Sequence, residues 1–151
     1  INDDMGFLQL KKFITETKLT DRIIFTGFIE RNLLPPLLMN SAVLVLARPD
    51  NIQSRGGFPT KLGEYLATSR PVIVTAVGDI PDYIIDGFNG FLTQPGSIES
   101  FASRLSYVLA NYDEASEVGK RGRQLAEKEF EAGVQAKCIH EFILGLKSMI
   151  N

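Results

Sequence analysis

The chain has 151 residues, of which 44% are hydrophobic, and its formal net charge is −2. This length favours a single domain over residues 1–151, and the apolar content is enough for a packed core. The near-neutral charge excludes the basic footprint of nucleic-acid-binding proteins, so we expect no nucleic-acid partner. The apolar runs are too short to span a bilayer, and we predict no signal peptide, so membrane association is not indicated. Cys138 is the single cysteine, which excludes a disulfide within the chain and fits a cytoplasmic location.

The N-terminal third of the chain alternates helical patterns with short apolar runs. Apolar residues at helical spacing predict helices over 7–14 and 33–38. The runs 22–25 and 42–46 predict buried strands. Because residues 42–46 are apolar without alternation, we expect that strand to be covered on both faces, as in a parallel sheet.

The rest of the chain continues this alternation and then becomes helical. A loop over 47–58 precedes a helix from Pro59, a strand at 72–74, a short helix at 80–85 and a strand at 91–92. Residues 97–100, beginning with Ser97, then offer an N-cap to a helix that reaches about residue 110, and further helices are predicted over 113–128 and 132–149. This order predicts an α/β fold with a doubly wound, mainly parallel Rossmann-like sheet, helices on both faces and a C-terminal helical segment. Ligands bind such sheets beyond the carboxyl ends of the strands, so the loops after residues 25, 46 and 74 are candidate site loops.

The loop and helix start at residues 56–64 are the most informative about function. Gly56 and Gly57 allow a ligand to approach the backbone closely, and Pro59 is typical of a first helical position. Backbone N–H groups, the helix dipole and Lys61 then converge on one point, which suits a phosphate. Glu64, one turn further, can accept hydrogen bonds from hydroxyls beside that phosphate. Phosphate plus vicinal hydroxyls describes a nucleotide; the alternative is an ordinary amphipathic helix with a solvated Lys–Glu pair.

Five ordered stretches over residues 21–95 resemble one protein family. They are Ile23-Ile24-Phe25-Thr26-Gly27, residues 40–49 (Asn-Ser-Ala-Val-Leu-Val-Leu-Ala-Arg-Pro), Glu64-Tyr65-Leu66-Ala67, residues 70–75 (Arg-Pro-Val-Ile-Val-Thr), and residues 78–92. Together they resemble the C-terminal domain of retaining GT-B glycosyltransferases, the nucleotide-sugar-dependent enzymes of family 4 or group 1.

This resemblance implies a site for a nucleotide-diphosphate sugar with a UDP, GDP or ADP carrier. Glu64 would bind the ribose hydroxyls, and backbone near Gly27 and Phe28 would meet the base. The diphosphate and donor sugar would be held by the backbone of Gly57, Phe58, Pro59, Thr60 and Lys61. No metal and no cofactor is implied, and no catalytic residue is assigned within the chain.

The sequence departs from the family pattern in the donor-sugar region. The family's first motif glutamate corresponds to Gly56, whereas counting forward from the preceding strand lands near Gln53. Asp50, Gln53 and Arg55 are therefore the candidates to replace that carboxylate. Ser69 stands where the family often has glycine.

The resemblance also implies parts that would precede Ile1: two further strands, one followed by a basic pair, and an N-terminal domain that holds the acceptor. We therefore interpret the chain as the donor-nucleotide half of a glycosyltransferase that transfers a hexose with retention, and we expect the chain alone to be inactive. The alternatives are a GT-B-type nucleotide-sugar epimerase, another phosphate-binding α/β enzyme, or a non-catalytic nucleotide-binding or assembly module.

Overall fold

The computed structural model describes residues 5–150, and the side chains of those up to residue 146. The described residues form two compact units, one up to Leu33 and one from Leu34. The assignment of all 151 residues to one donor-nucleotide domain stays a prediction. No helix in the described part of the chain has the length and apolar content needed to cross a membrane.

The first unit contains the predicted N-terminal helix, α1 (Met5–Glu16), and a single 3-10 turn (Thr20–Arg22). The strand predicted at 22–25 is wrong: residues 23–27 form neither helix nor strand, and Ile24 is 86% exposed. A strand needs a neighbour to pair its backbone N–H and C=O groups, and the described residues provide none here. A four-residue apolar run does not identify such a neighbour.

The second unit is built on a three-stranded parallel sheet in the order β1-β2-β3. After α2 (Leu34–Met39) come β1 (Leu44–Leu46), α3 (Ile52–Arg55), α4 (Thr60–Leu66), β2 (Val72–Thr75), α5 (Ile80–Tyr83) and β3 (Phe91–Thr93). Leu44 lies opposite Val72, and Ile73 lies opposite Phe91. The predicted strands at 42–46, 72–74 and 91–92 are confirmed, and the parallel α/β fold with them.

Helices cover both faces of this sheet, and alternate residues of β2 mark the two cores. Val72 and Val74 point to a core that α4 and α5 complete, whereas Ile73 points to a core completed by α6 (Ile98–Ala110) and α7 (Tyr112–Leu125). All four residues of β2 are buried, as expected for a central parallel strand. β1 differs from the expectation: Val45 is 44% exposed, so this strand is not covered on both faces.

The helical C-terminal part follows the prediction closely. The Ser97 hydroxyl accepts a hydrogen bond from the Ser100 N–H at 3.1 Å and caps α6, as its position before a helical pattern indicates. The helix predicted over 113–128 is α7 followed by a π-helical turn (Ala126–Phe130). The extended residue Glu131 then separates this turn from α8 (Ala132–Ile150).

The connection after α4 contains a non-glycine residue in the left-handed region. Ser69, which stands where the resembling family often has glycine, has φ +62°. We expect Ser69→Gly to raise the free energy of unfolding by about 0.5–1 kcal/mol, because relief of this strain exceeds the added entropy of the unfolded chain. Chemical denaturation measures the change. The control is Ser103→Gly on the exposed side of α6, which is expected to lower the free energy of unfolding. If both variants are more stable than wild type, or if neither is, backbone strain at Ser69 is not the cause.

Candidate functional site

The loop that follows β1 is more ordered than the sequence indicated. It contains the short helix α3, whose first turn is capped by the Asn51 side chain accepting from the Ser54 N–H at 2.8 Å. Ser54 is buried, so the helix is packed against the body of the unit. The prediction of an unbroken loop over 47–58 was therefore wrong. Asn51 was the available signal, because asparagine is a preferred helix N-cap.

Two of the three candidates for the missing motif glutamate are paired with each other. The Arg55 guanidinium donates two hydrogen bonds to the Asp50 carboxylate, at 2.5 and 2.9 Å. These hydrogen bonds, with the charge of Arg55, hold the pKa of Asp50 below its usual value. Gln53, the third candidate, is exposed on α3. The structure thus leaves Gln53 as the candidate not engaged in this ion pair.

The loops after β1 and β2 meet at the carboxyl edge of the sheet. The buried Thr75 hydroxyl accepts from the Arg48 N–H at 2.8 Å and donates to the Arg48 carbonyl at 3.0 Å. Gly78 has φ +58°, and a Cβ added there would lie 2.9 Å from the Arg55 carbonyl oxygen. Only glycine therefore allows the second loop to approach α3 so closely.

Helix α4 has the two-sided character that the sequence predicted. Leu62 and Leu66 are buried in the core, whereas Thr60, Lys61 and Glu64 are exposed. One detail differs: Pro59 has an extended ψ of 111° and precedes the first turn instead of occupying it. The polar side of α4 is thus open to a ligand, as a binding helix requires.

Phe58 directs its side chain into the protein. Its ring lies 5.1 Å from the Tyr83 ring and 5.3 Å from the Phe130 ring, and these two rings also contact each other. Gly63 lets Phe130 approach α4, since an added Cβ would lie 3.3 Å from the Phe130 Cβ. Residues 56–59, which connect α3 to α4, are called the glycine loop. Phe58 offers its backbone, and not its ring, to the outside of this loop.

A pocket of about 510 Å³ lies beside α4. It is lined by Phe58, Thr60, Gly63, Glu64, Ala67, Arg123, Ala126, Glu127, Phe130, Glu131 and Gln135. It brings together three predicted site residues, Phe58, Thr60 and Glu64, but not Gln53, Gly57, Pro59 or Lys61. The pocket residues on α7, the π-helical turn and α8 that adjoin Glu64 were not predicted from the sequence. No motif or spacing links them to α4.

The charges of this pocket favour hydroxyl ligands over anions. Glu64, Glu127 and Glu131 contribute three carboxylates, against the single guanidinium of Arg123, which pairs with Glu127 at 2.7 Å. Backbone N–H groups of Gly133 and Val134 hold the pKa of Glu131 below its usual value, so its carboxyl is ionised at neutral pH. A diphosphate would be repelled here, whereas sugar hydroxyls can donate to the Glu64 carboxylate.

A second pocket, of about 480 Å³, lies at the carboxyl edge of the sheet. Its lining consists of Ala47, Arg48, Pro49, Thr75, Gln94, Gly96, Ser97, Ile98, Phe101, Ala102 and Leu105. None of the predicted site residues is among them. It shares Arg48 with the glycine loop, because the Arg48 guanidinium also donates to the Gly57 carbonyl at 2.9 Å.

The remaining predicted site residues, Gly27 and Phe28, belong to the first compact unit. Gly27 has φ +61°, and the side chain of Phe28 is 93% exposed. Their grouping with Glu64 in one site stays a prediction. Across the described residues, no group of three or more His, Cys, Asp or Glu side chains is arranged to hold a metal ion.

Comparison with known proteins identifies the family. The family model described as "Glycosyl transferases group 1" matches residues 4–125. The chain belongs to the group 1 glycosyl transferases. Among curated relatives of this glycosyltransferase chain, N-acetyl-alpha-D-glucosaminyl L-malate synthase of Bacillus anthracis is 25% identical over 130 residues, covering 86% of the chain and 32% of that protein. 2-Deoxystreptamine glucosyltransferase of Streptomyces kanamyceticus is 27% identical over the same length, with the same coverage.

Solved structures agree with the fold of this group 1 glycosyltransferase chain. The C-terminal domain of a glycosyl transferase group 1 protein (LpcC) from Francisella tularensis aligns with a TM-score of 0.75 and 25% identity, covering 87% of the chain and 66% of that domain structure. Anabaena Alr3699/HepE, solved with UDP and glucose, aligns with a TM-score of 0.81 and 20% identity, covering 92% of the chain and 36% of that protein. The fold is that of a GT-B C-terminal domain. The chain spans about a third of the length of the two curated relatives above.

Proposed function

We propose that the chain is the donor-binding part of a retaining glycosyltransferase that transfers a hexose from a nucleotide diphosphate to an acceptor. Membership of the group 1 family supports this proposal. The observation that carries it is the exposed Glu64 on α4, directly after a glycine loop at the carboxyl side of β1. The relative from Anabaena, which was crystallised with UDP-glucose, favours a uridine carrier.

In this proposal the nucleotide extends along one side of α4. The Glu64 side chain accepts hydrogen bonds from the two ribose hydroxyls, in surroundings whose negative charge disfavours the phosphates. The diphosphate lies at the glycine loop, where the backbone N–H groups of Gly57, Phe58, Thr60 and Lys61, with the Lys61 ammonium, offset its charge. Gln53 contacts the donor sugar.

The whole enzyme would need parts outside this chain. Transfer requires donor and acceptor to be positioned in one cleft, so we propose that an N-terminal GT-B domain of the same protein supplies the acceptor site. By the same argument, the 151-residue chain alone does not transfer sugar. We also propose a cytoplasmic location, since a single cysteine gives no intrachain disulfide and suits a reducing compartment.

A second candidate function is a nucleotide-binding module without transferase activity. Counting back from Glu64 places Gly56 at the position of the motif carboxylate, and Asp50, a carboxylate in the same loop, is paired with Arg55. This arrangement weakens the case for donor-sugar contact and leaves nucleotide binding intact.

A thermal-shift panel with UDP, GDP, ADP and UDP-glucose tests the proposal. A ligand that binds only the folded chain raises Tm in a concentration-dependent manner. We expect at least one nucleoside diphosphate to do so. If a nucleoside diphosphate raises Tm and UDP-glucose raises it no further, the result supports the nucleotide-binding module without transferase activity. If none of these ligands raises Tm, the result contradicts both functions.

Nucleotide binding is expected to be independent of divalent metal. The positive potential at the glycine loop comes from Lys61 and backbone N–H groups, which need no bridging ion. Calorimetric titration with UDP should therefore give dissociation constants within about twofold of each other in EDTA and in Mg²⁺. The prediction is wrong if chelation weakens binding about tenfold or more.

A further inference from the structure

We propose that Arg48 is a positioning residue for the donor diphosphate: it holds the Gly57–Phe58 peptide so that the Phe58 N–H is presented to a diphosphate oxygen. The inference rests on the proposed function, because it names the residue that orients one donor of that site. The sequence places Arg48 in a candidate site loop and in one of the stretches that resemble the family, but it assigns this arginine no role of its own.

The backbone of Arg48 is fixed to the centre of the sheet. Both its N–H and its carbonyl are bonded to one hydroxyl, that of Thr75, at 2.8 and 3.0 Å. Thr75 is only 4% exposed and ends the buried central strand β2. The hydroxyl accepts one hydrogen bond and donates the other, so its orientation is determined. Arg48 therefore extends its side chain from a rigid base.

The side chain of Arg48 carries this rigidity to the glycine loop. Its guanidinium donates to the Gly57 carbonyl oxygen at 2.9 Å. Because a trans peptide is planar, fixing that carbonyl also fixes the Phe58 N–H, which points to the opposite side of the same peptide. No acceptor for this N–H is found among the described residues, so it remains available to a ligand.

The other end of the same peptide is held by packing. The Phe58 ring contacts the rings of Tyr83 and Phe130 at 5.1 and 5.3 Å. The Gly57–Phe58 peptide is thus held at two points: Arg48 binds its carbonyl oxygen, and Tyr83 and Phe130 pack against the Phe58 ring. Two consecutive glycines would otherwise leave this backbone with many conformations, and ordering them on binding would cost affinity.

The binding test uses two Arg48 variants and a matched arginine elsewhere. Arg121, which lies on α7, is the matched control, because its guanidinium also donates to a loop carbonyl. That carbonyl belongs to Phe88 and not to the glycine loop. In calorimetric titrations of the full chain with UDP, GDP and ADP, Arg48→Ala should weaken diphosphate binding about tenfold, and Arg48→Lys should recover part of the loss. Arg121→Ala should leave affinity within about twofold of wild type, with denaturation measured for all variants.

A measurement on the ligand-free chain separates positioning from direct contact. The backbone ¹⁵N order parameter of Phe58 should be about 0.85 in wild type and Arg121→Ala, and below about 0.6 in Arg48→Ala. An unchanged order parameter in Arg48→Ala overturns the proposal, even if affinity falls, because Arg48 then acts by touching the ligand. Unchanged affinity with a lowered order parameter overturns it as well. Failure of wild type to bind any nucleoside diphosphate contradicts the proposed function instead.

Discussion

Gly119→Ala is expected to lower the free energy of unfolding by about 2–3 kcal/mol, although alanine is the better helix former. Gly119 lies on α7 where the helix crosses the segment between α4 and β2. A Cβ added there would be 2.4 Å from the Ser69 carbonyl oxygen and 2.9 Å from the Pro71 nitrogen. Both atoms belong to the backbone, so no side-chain rotation relieves the overlap, and α7 must move away from the sheet.

Gly145→Ala is the matched control for this substitution. Gly145 also lies within a helix, α8, but an added Cβ there meets no atom of the described residues within 4 Å. This variant should gain up to about 1 kcal/mol from helix propensity alone. Urea denaturation of both variants checks the pair. Equal effects at the two positions contradict the close packing of α7 on the segment before β2.

Glu64→Gln is expected to weaken binding of the nucleoside diphosphate at least about tenfold, or roughly 1.4 kcal/mol. The substitution keeps the shape of the side chain but removes the charge that strengthens its two hydrogen bonds to the ribose hydroxyls. Glu64→Ala, which removes both acceptors, should weaken binding further. The folded structure should survive, since Glu64 is exposed and glutamine has a similar helix propensity.

Two comparisons make the Glu64 titrations specific. Glu141→Gln is the charge control, because it removes the same charge from an exposed position on α8. The Glu141→Gln variant should bind the nucleoside diphosphate with the affinity of wild type. Gln53→Ala should leave the bare diphosphate unaffected and weaken only the sugar-linked form, because its proposed partner is the sugar. Equal affinities for wild type, Glu64→Gln and Glu64→Ala, with normal circular dichroism, would make Glu64 an ordinary surface residue.

Local signals in the sequence predicted most of the fold. The Ser97 cap and the apolar spacing of residues 98–110 are contained within one helix, so α6 was predicted with its correct start. The runs at 72–74 and 91–92 are short but bounded by turns, and both form strands. The similar run at 22–25 does not, because strand formation depends on a pairing partner that lies elsewhere in the chain.

The same distinction applies to the candidate site. The exposure of Thr60, Lys61 and Glu64 on one helix follows from helical periodicity and was predictable. The contact of Arg48 with Thr75 joins two strand ends 27 residues apart, and no spacing rule indicates it. The pocket beside Glu64 is likewise completed by residues far along the chain, which only the packing of α7 and α8 brings into place.

Amide chemical-shift mapping of the ¹⁵N-labelled chain during titration with UDP shows directly whether the glycine loop and α4 bind the nucleotide. We predict saturable shifts concentrated at the glycine loop and the first turns of α4, residues 57–64. The amides of α6, which contributes no residue to the pocket beside Glu64, should be unaffected. Saturable shifts that leave residues 57–64 unchanged and cluster elsewhere would contradict the assignment of this loop and Glu64 as the donor-nucleotide site.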